Sequence, residues 1–254
     1  GLANPETGWG RVNETWQAIS NIERLGGPIW FRLGDQDLAT HIERTRRLKE
    51  GQYLSEITKD FCTAWGIKQA ILPMTDQAVR TIVETEEGDL AFQEYFVHRR
   101  CEPRVKGFRF DGIENAQAAP GVREAIRSAD VVIICPSNPW VSIDPILAIA
   151  RSDWQSNLRN KKVIAVSPII GGKAIKGPAA KMYKELGIEP SAFAVAKHYE
   201  GIASGFVLDK IDSQLGADIR SLNMQTLVAN TLMKTMKDRR KLAEDVLDFV
   251  GHTL

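Results

Sequence analysis

A chain of 254 residues is long enough for one large domain or for a domain with a smaller companion, and 33 lysines and arginines stand against 32 aspartates and glutamates. That balance argues against a nucleic-acid or anionic-membrane binder, and no apolar run approaches the roughly 20 residues that span a bilayer. The three cysteines, Cys62, Cys101 and Cys135, are scattered without metal or disulfide spacing, as expected of reduced thiols in a soluble cytoplasmic protein with no signal-like opening.

The chain opens on Gly1 rather than Met, and residues 1–10 read like the interior of a longer chain, so we expect residues before them. A helix is expected over 13–25, closed by Gly26-Gly27-Pro28. A second follows Asp35 and Asp37, with Leu38, Ile42, Thr45 and Leu48 at helical spacing and Gly51 as its stop. A third opens at Ser55, runs through Ile57, Phe61 and Trp65 and closes at Gly66. These three make a small helical subdomain, 1–65, ahead of a Rossmann-like α/β domain, 66–254.

Beyond Gly66 the period shortens. Strands are expected over 68–74, 78–84 and 89–99, the last two as a hairpin turning at Gly88. A helix over 121–128 feeds the run Val131-Val132-Ile133-Ile134, which reads as a strand covered on both faces, as in a parallel sheet. A helical or loop-rich stretch, 145–159, precedes a second such strand at Val163. Further elements are a helix over 179–186, a strand over 206–211 and an amphipathic surface helix over 238–250.

Both buried strands run into turn residues. The first exits through Pro136-Ser137-Asn138-Pro139 and the second through Ser167-Pro168-Ile169-Ile170-Gly171-Gly172. Open α/β sheets place ligands at the carboxyl edge, so the two exits point to one cleft. Pro136, Ser137 and Asn138 offer a hydroxyl, an amide and backbone N–H groups for phosphate oxygens or a base edge. They also suit a plain tight turn. Ser167, Gly171 and Gly172, followed by Lys173 and Lys176 ahead of a helix, suit a diphosphate cradle. The spacing is neither a Walker A motif nor Gly-x-Gly-x-x-Gly, and a solvated loop is the alternative. Around the second helix start, Arg32, Asp35, Asp37 and His41 stand beside Trp30 and Phe31, a set that suits a flat aromatic guest. Equally, the carboxylates suit helix capping and His41 a structural hydrogen bond. Ser137 and His198 have neither a nucleophile elbow nor a third triad member, which rejects a hydrolase. Metal-ligand spacing is lacking as well.

The words Asn4-Pro5-Glu6-Thr7-Gly8-Trp9-Gly10, Leu33-Gly34-Asp35-Gln36-Asp37-Leu38-Ala39-Thr40-His41, Leu72-Pro73-Met74-Thr75-Asp76, Pro136-Ser137-Asn138-Pro139 and Val166-Ser167-Pro168-Ile169-Ile170-Gly171-Gly172 occur in this order. Together with Lys176-Gly177-Pro178-Ala179-Ala180-Lys181-Met182 and Ala196-Lys197-His198-Tyr199, they closely resemble the 2-phospho-L-lactate transferase family of coenzyme F-420 biosynthesis, over essentially the whole chain. The resemblance implies a Rossmann-like, three-layer, mostly parallel α/β fold with a small helical insertion. It implies a transferase moving a 2-phospholactyl or phosphoenolpyruvyl group from a guanosine-diphosphate-linked donor to the deazaflavin Fo, releasing GMP.

On that resemblance the basic residue before Leu-Gly-Asp, Arg32, contacts the deazaflavin, with Asp35 and His41 beside it. Pro136, Ser137, Asn138, Ser167, Gly171 and Gly172 face the donor, and Lys173 and Lys176 are the candidates to offset charge on the bridging oxygen. Magnesium is the implied cofactor. Family members begin with a strand, a Gly-rich turn and an Asp-rich segment associated with magnesium and the acceptor, which these residues do not contain. No metal ligand is therefore assigned to Asp35, Asp37 or Asp76. A homodimer is left open, as is the choice among lactyl, enolpyruvyl and glyceryl donors. The rival reading is a non-catalytic nucleotide-sugar-binding regulator of cell-envelope metabolism on a related fold, which lacks the intact Leu-Gly-Asp-x-Asp-x-Ala-Thr-His word. A nicotinamide oxidoreductase is suggested by fold alone, a poor warrant.

Overall fold

The computed structural model describes residues 3–4, 10–149, 161–175 and 177–253. Three helices come first, α1 Gln17–Arg24, α2 Asp35–Lys49 and α3 Leu54–Ala64, close to their expected places. Asn13, with a left-handed φ of 56°, delays the start of α1. An antiparallel sheet of order β2-β1-β3 follows, made of β1 Arg80–Thr85, β2 Gly88–Ala91 and β3 Val105–Asp111.

The organising element is a parallel sheet of β4 Val131–Ile134, β5 Lys162–Val166, β8 Gly205–Asp209 and β9 Gln225–Ala229, in the order β4-β5-β8-β9. Between β5 and β8 lies a small hairpin, β6 Ile169–Ile170 and β7 Lys173–Ala174. The remaining helices are α4 Val122–Ser128, α5 Asp144–Ile149, α6 Ala179–Glu185, α7 Ala192–His198, α8 Gly216–Arg220 and α9 Met236–Thr253.

Alternation along the strands sorts the core into two layers. Val163, Ala165, Phe206 and Leu208 pack on one face against Tyr183, Val195 and Ile219 of α6, α7 and α8. Ile164, Val166 and Val207 pack on the other against Leu242, Val246 and Phe249 of α9. Helices thus cover both faces of a parallel sheet, the Rossmann-like α/β arrangement expected. Burying each of the larger of these side chains contributes about 1.5–3 kcal/mol.

Four expectations need correction. First, β4 pairs on one side only among the described residues and Ile133 is 38% exposed, so the run, with Val132 and Ile134 on one layer and Val131 on the other, is covered on its second face only in part. Second, 68–74 is not a strand. Its residues show no alternating burial, Pro73 has no N–H to donate, and Ile67 to Leu72 instead lie against α3, lining a cavity of about 500 Å³. Third, the strand expected over 89–99 stops at Ala91 and becomes a π-helical turn, Glu94–His98. Phe92, Tyr95 and Phe96 are spaced for a helix, not a strand: Tyr95 is fully buried with Val83, Val105 and Met182, and the Phe92 and Phe96 rings stack with centroids 5.5 Å apart. Fourth, β3, the β6–β7 hairpin, α7, α8 and β9 were not among the expected elements. Residues 150–159 of the expected 145–159 stretch lie outside the described residues.

Candidate active site

The carboxyl ends of β4, β5 and β9 open into one cavity of about 620 Å³. Pro136, Ser137 and Asn138 reach it from β4, Ser167 and Pro168 from β5, and Thr231 and Arg239 from the chain after β9. Phe92 and Phe96 close it from the side of the antiparallel sheet. The two strand exits read from sequence therefore border a single space, at the edge where a parallel sheet leaves its loops free.

Most polar groups there hold the walls. Asn138 Oδ1 accepts from the N–H of Trp140 at 3.1 Å and of Val141 at 3.5 Å, capping the π-helical turn Pro139–Ile143, with Pro139 at its first position. Ser167, 2% exposed, donates its hydroxyl to the Ile169 carbonyl and accepts from the Ile169 N–H, closing its own turn. At the end of β8, buried Asp209 accepts from the N–H and the hydroxyl of Thr231, at 2.8 and 3.1 Å, and pins the wall that leads into α9. By contrast, no hydrogen bond from the described residues engages the hydroxyls of Ser137 or Ser142, both of which line the cavity.

Gly171 and Gly172 take a different place from the cradle expected of them. With φ of 55° and 73° they form the two-residue turn between β6 and β7, and the Gly171 N–H donates to the buried Asp212 carboxylate at 2.9 Å. Neither lines the cavity, and Lys173 on β7 is exposed outside it. Lys176 lies outside the described residues.

The Arg32 to His41 segment is a helix corner. Trp16 offers α1 no cap, and Asp35 supplies one from the second helix: it accepts from the Thr15 hydroxyl at 2.6 Å and the N–H groups of Gln17 and Ala18, each at 3.0 Å. Glu14 returns the contact, accepting from the Gln36 N–H at the start of α2 at 2.8 Å. Gly34 is required between them, because a Cβ there would lie 1.9 Å from Glu14 Cγ. The Thr15 hydroxyl and then the Ala18 N–H hold the Asp35 carboxyl below its ordinary range. Burial, then the Arg44 charge, push the His41 imidazole down, and His41 Nδ1 meets Arg44 Nη2 at 2.8 Å. The Arg32 guanidinium lies 5.5 Å from the Trp16 ring centroid. Arg32, Asp35 and His41 are therefore neighbours in the fold but line neither cavity. One link joins corner and cavity: Trp30 stacks on His98, centroids 4.9 Å apart, in the π-helical turn that carries Phe96.

Asp76 likewise caps a helix, accepting from the Ser55 N–H and hydroxyl at 2.7 and 2.9 Å. Among the described residues no three His, Cys, Asp or Glu side chains converge as a metal site. The implied magnesium thus finds no fitting ligand set in them.

Sequence reading missed Phe92, Phe96, Ser142, Thr231 and Arg239. The aromatics carried a legible signal in their i, i+3, i+4 spacing, whereas Thr231 and Arg239 reach the cavity only through tertiary structure. Missed too was a pair behind the wall, His198 Nε2 to Asp144 Oδ1 at 2.8 Å, beside Trp140.

The family model described as 2-phospho-L-lactate transferase CofD matches residues 11–246. The 2-phospho-L-lactate transferase of Methanosarcina mazei is 37% identical over 94% of this chain and 78% of its own length. That of Methanopyrus kandleri is 38% identical over 98% and 80%, and the phosphoenolpyruvate transferase of Streptomyces griseus 37% over 98% and 80%. A solved UPF0052-family protein of Bacillus halodurans shares the fold with a TM-score of 0.56 and 13% identity, over 84% of this chain and 71% of its own. With a family model spanning nearly all of it and relatives at this identity, the chain belongs to the 2-phospho-L-lactate transferase CofD family.

Proposed function

We propose that the protein transfers a 2-phospholactyl or phosphoenolpyruvyl group from a guanosine-diphosphate-linked donor to the deazaflavin Fo. The observation that carries this reading is the carboxyl-edge cavity, which presents the Ser137 and Ser142 hydroxyls with no hydrogen-bond partner among the described residues and no carboxylate among its described lining. Such a wall accepts phosphate oxygens without repelling them. A hydroxyl on the ribityl arm of Fo attacks the phosphorus bearing the lactyl or enolpyruvyl group. One phosphorus–oxygen bond forms, the bond to the bridging oxygen breaks, GMP leaves with that oxygen, and the hydroxyl proton passes to solvent. Chemistry of this kind is mainly positioning and charge neutralisation.

The Ser137 and Ser142 hydroxyls orient the donor, and the stacked Phe92 and Phe96 rings offer a flat wall to the tricyclic acceptor. Arg32 lines neither cavity but lies two residues from Trp30, whose stacking on His98 leads to the turn carrying Phe96, and on this reading it reaches the acceptor from there. Arg32→Ala then raises the KM for Fo more than the KM for the donor, and equal small effects on both remove Arg32 from this role. The reaction is tested by incubating the protein with Fo, magnesium and each donor in turn and weighing the products. A deazaflavin phosphodiester with stoichiometric GMP is expected. Unchanged Fo, together with a thermal midpoint raised by UDP-sugars and not by Fo, would instead favour the regulator.

A further inference from the structure

Three cations follow one another in the first turns of α9: Arg239, Arg240 and Lys241. Two are neutralised along the helix, Arg240 by Glu244 at 2.8 Å and Lys241 by Asp245 at 2.5 Å. Four residues beyond Arg239 stands Ala243 instead of a carboxylate. No described carboxylate pairs with Arg239, whose Nη1 meets only Met236 Sδ, at 3.8 Å. Arg239 is also the one charged residue among the described lining of the 620 Å³ cavity. The helix start is not the attraction. Its N–H groups are answered by Thr235 and Asp238, which cap each other reciprocally at 3.2 and 2.7 Å. What faces the cavity uncompensated is the guanidinium, carried on a segment fixed through Thr231 by buried Asp209.

We propose that Arg239 is the counter-charge for the diphosphate of the donor, its planar fork binding non-bridging oxygens of the two phosphates while the Ser137 hydroxyl meets them from the chain after β4. This rests on the nucleotide-donor reading above, and it gives the C-terminal helix the charge role that sequence had placed on Lys173 and Lys176. It also names a specificity: the site prefers a diphosphate to an unphosphorylated nucleoside.

Titration calorimetry of the protein with GDP, inorganic diphosphate and guanosine tests it in wild type, Arg239→Gln, Arg239→Lys and Arg240→Gln. Arg239→Gln is expected to weaken GDP and inorganic diphosphate about ten- to a hundredfold while leaving guanosine unchanged. Arg239→Lys retains charge without the fork and falls between, and Arg240→Gln, on the same helix, matches wild type. GDP binding unaltered by Arg239→Gln overturns the proposal and leaves the donor reading standing. Wild type that takes inorganic diphosphate through Arg239 but refuses GDP upholds the anion site and overturns the guanosine-linked donor. Wild type that binds neither overturns both.

Discussion

The α1–α2 corner and the carboxyl-edge cavity are equally rich in polar residues, yet they differ in what those residues touch. In the corner, Asp35 is closed on Thr15, Gln17 and Ala18, Glu14 on Gln36, and His41 on Arg44. In the cavity, Asn138, Ser167 and Thr231 are closed in the same way, but among the described residues the hydroxyls of Ser137 and Ser142 have no hydrogen-bond partner and the guanidinium of Arg239 has no carboxylate. Residue type does not separate the two regions. The presence or absence of an internal partner does, because a polar group already satisfied by the protein has little left to offer a substrate.

The largest effect expected from this contrast is on stability. Gly34→Ala places a methyl group on Glu14 and displaces the cap of α2, costing about 2–3 kcal/mol in denaturant unfolding. An unchanged unfolding midpoint would show that the corner is not a fixed joint. Ser137→Ala is the opposite case: it lowers kcat/KM about tenfold, or about 1.4 kcal/mol, with the melting temperature unaltered. Asp35→Asn exchanges those outcomes, lowering the melting temperature while the folded protein keeps its kcat/KM. Loss of activity in Asp35→Asn at full stability would erase the contrast. Next, Phe96→Ala removes one ring of the stack and raises the KM for the acceptor about two- to tenfold, the donor KM holding steady.

Acid sharpens the comparison further. His41 is held below its ordinary value of 6.5 by burial and by Arg44, so below that pH the folded chain binds fewer protons than the unfolded one. Its stabilising share is complete above 6.5 and is lost as pH falls towards the lowered folded value. His41→Gln flattens that part of a stability–pH curve, and a slope identical to wild type would dismiss the residue. The smallest effect is expected of Tyr183→Phe. The Tyr183 hydroxyl is buried without a hydrogen-bond partner among the described residues, so its removal changes stability by less than about 0.5 kcal/mol or raises it slightly.

Much of this architecture is legible in the sequence. The parallel strands at Val131 and Val163, and the convergence of their exits, followed from apolar runs that end in turn residues. Helix starts near Asp35 and Ser55 were legible from residue type, although neither side chain caps its own helix: Asp35 caps α1, and Ser55 donates to Asp76. What escaped was whatever depends on partners distant in sequence. A run of four apolar residues fits an edge strand as well as a central one, so β4 needed its neighbours to be placed. The motif at Gly171-Gly172 has the residues of a phosphate loop and of a hairpin turn alike, and the choice is made by Asp212, 41 positions further on. Spacing alone sets Arg239, with Ala243 four residues on, apart from Arg240 and Lys241, but its place on the cavity emerges only once α9 is docked. The corner word, Leu33 to His41, carries part of the resemblance read from sequence, while the hydrogen bonds it makes are those of a helix joint.

Hydrogen–deuterium exchange of the protein with and without GDP tests most directly whether the carboxyl-edge cavity, and not the corner, receives the nucleotide. Protection over 136–142 and 231–239, with none over 33–41, is the predicted pattern. Protection confined to 33–41, with the strand exits exchanging as before, would contradict it.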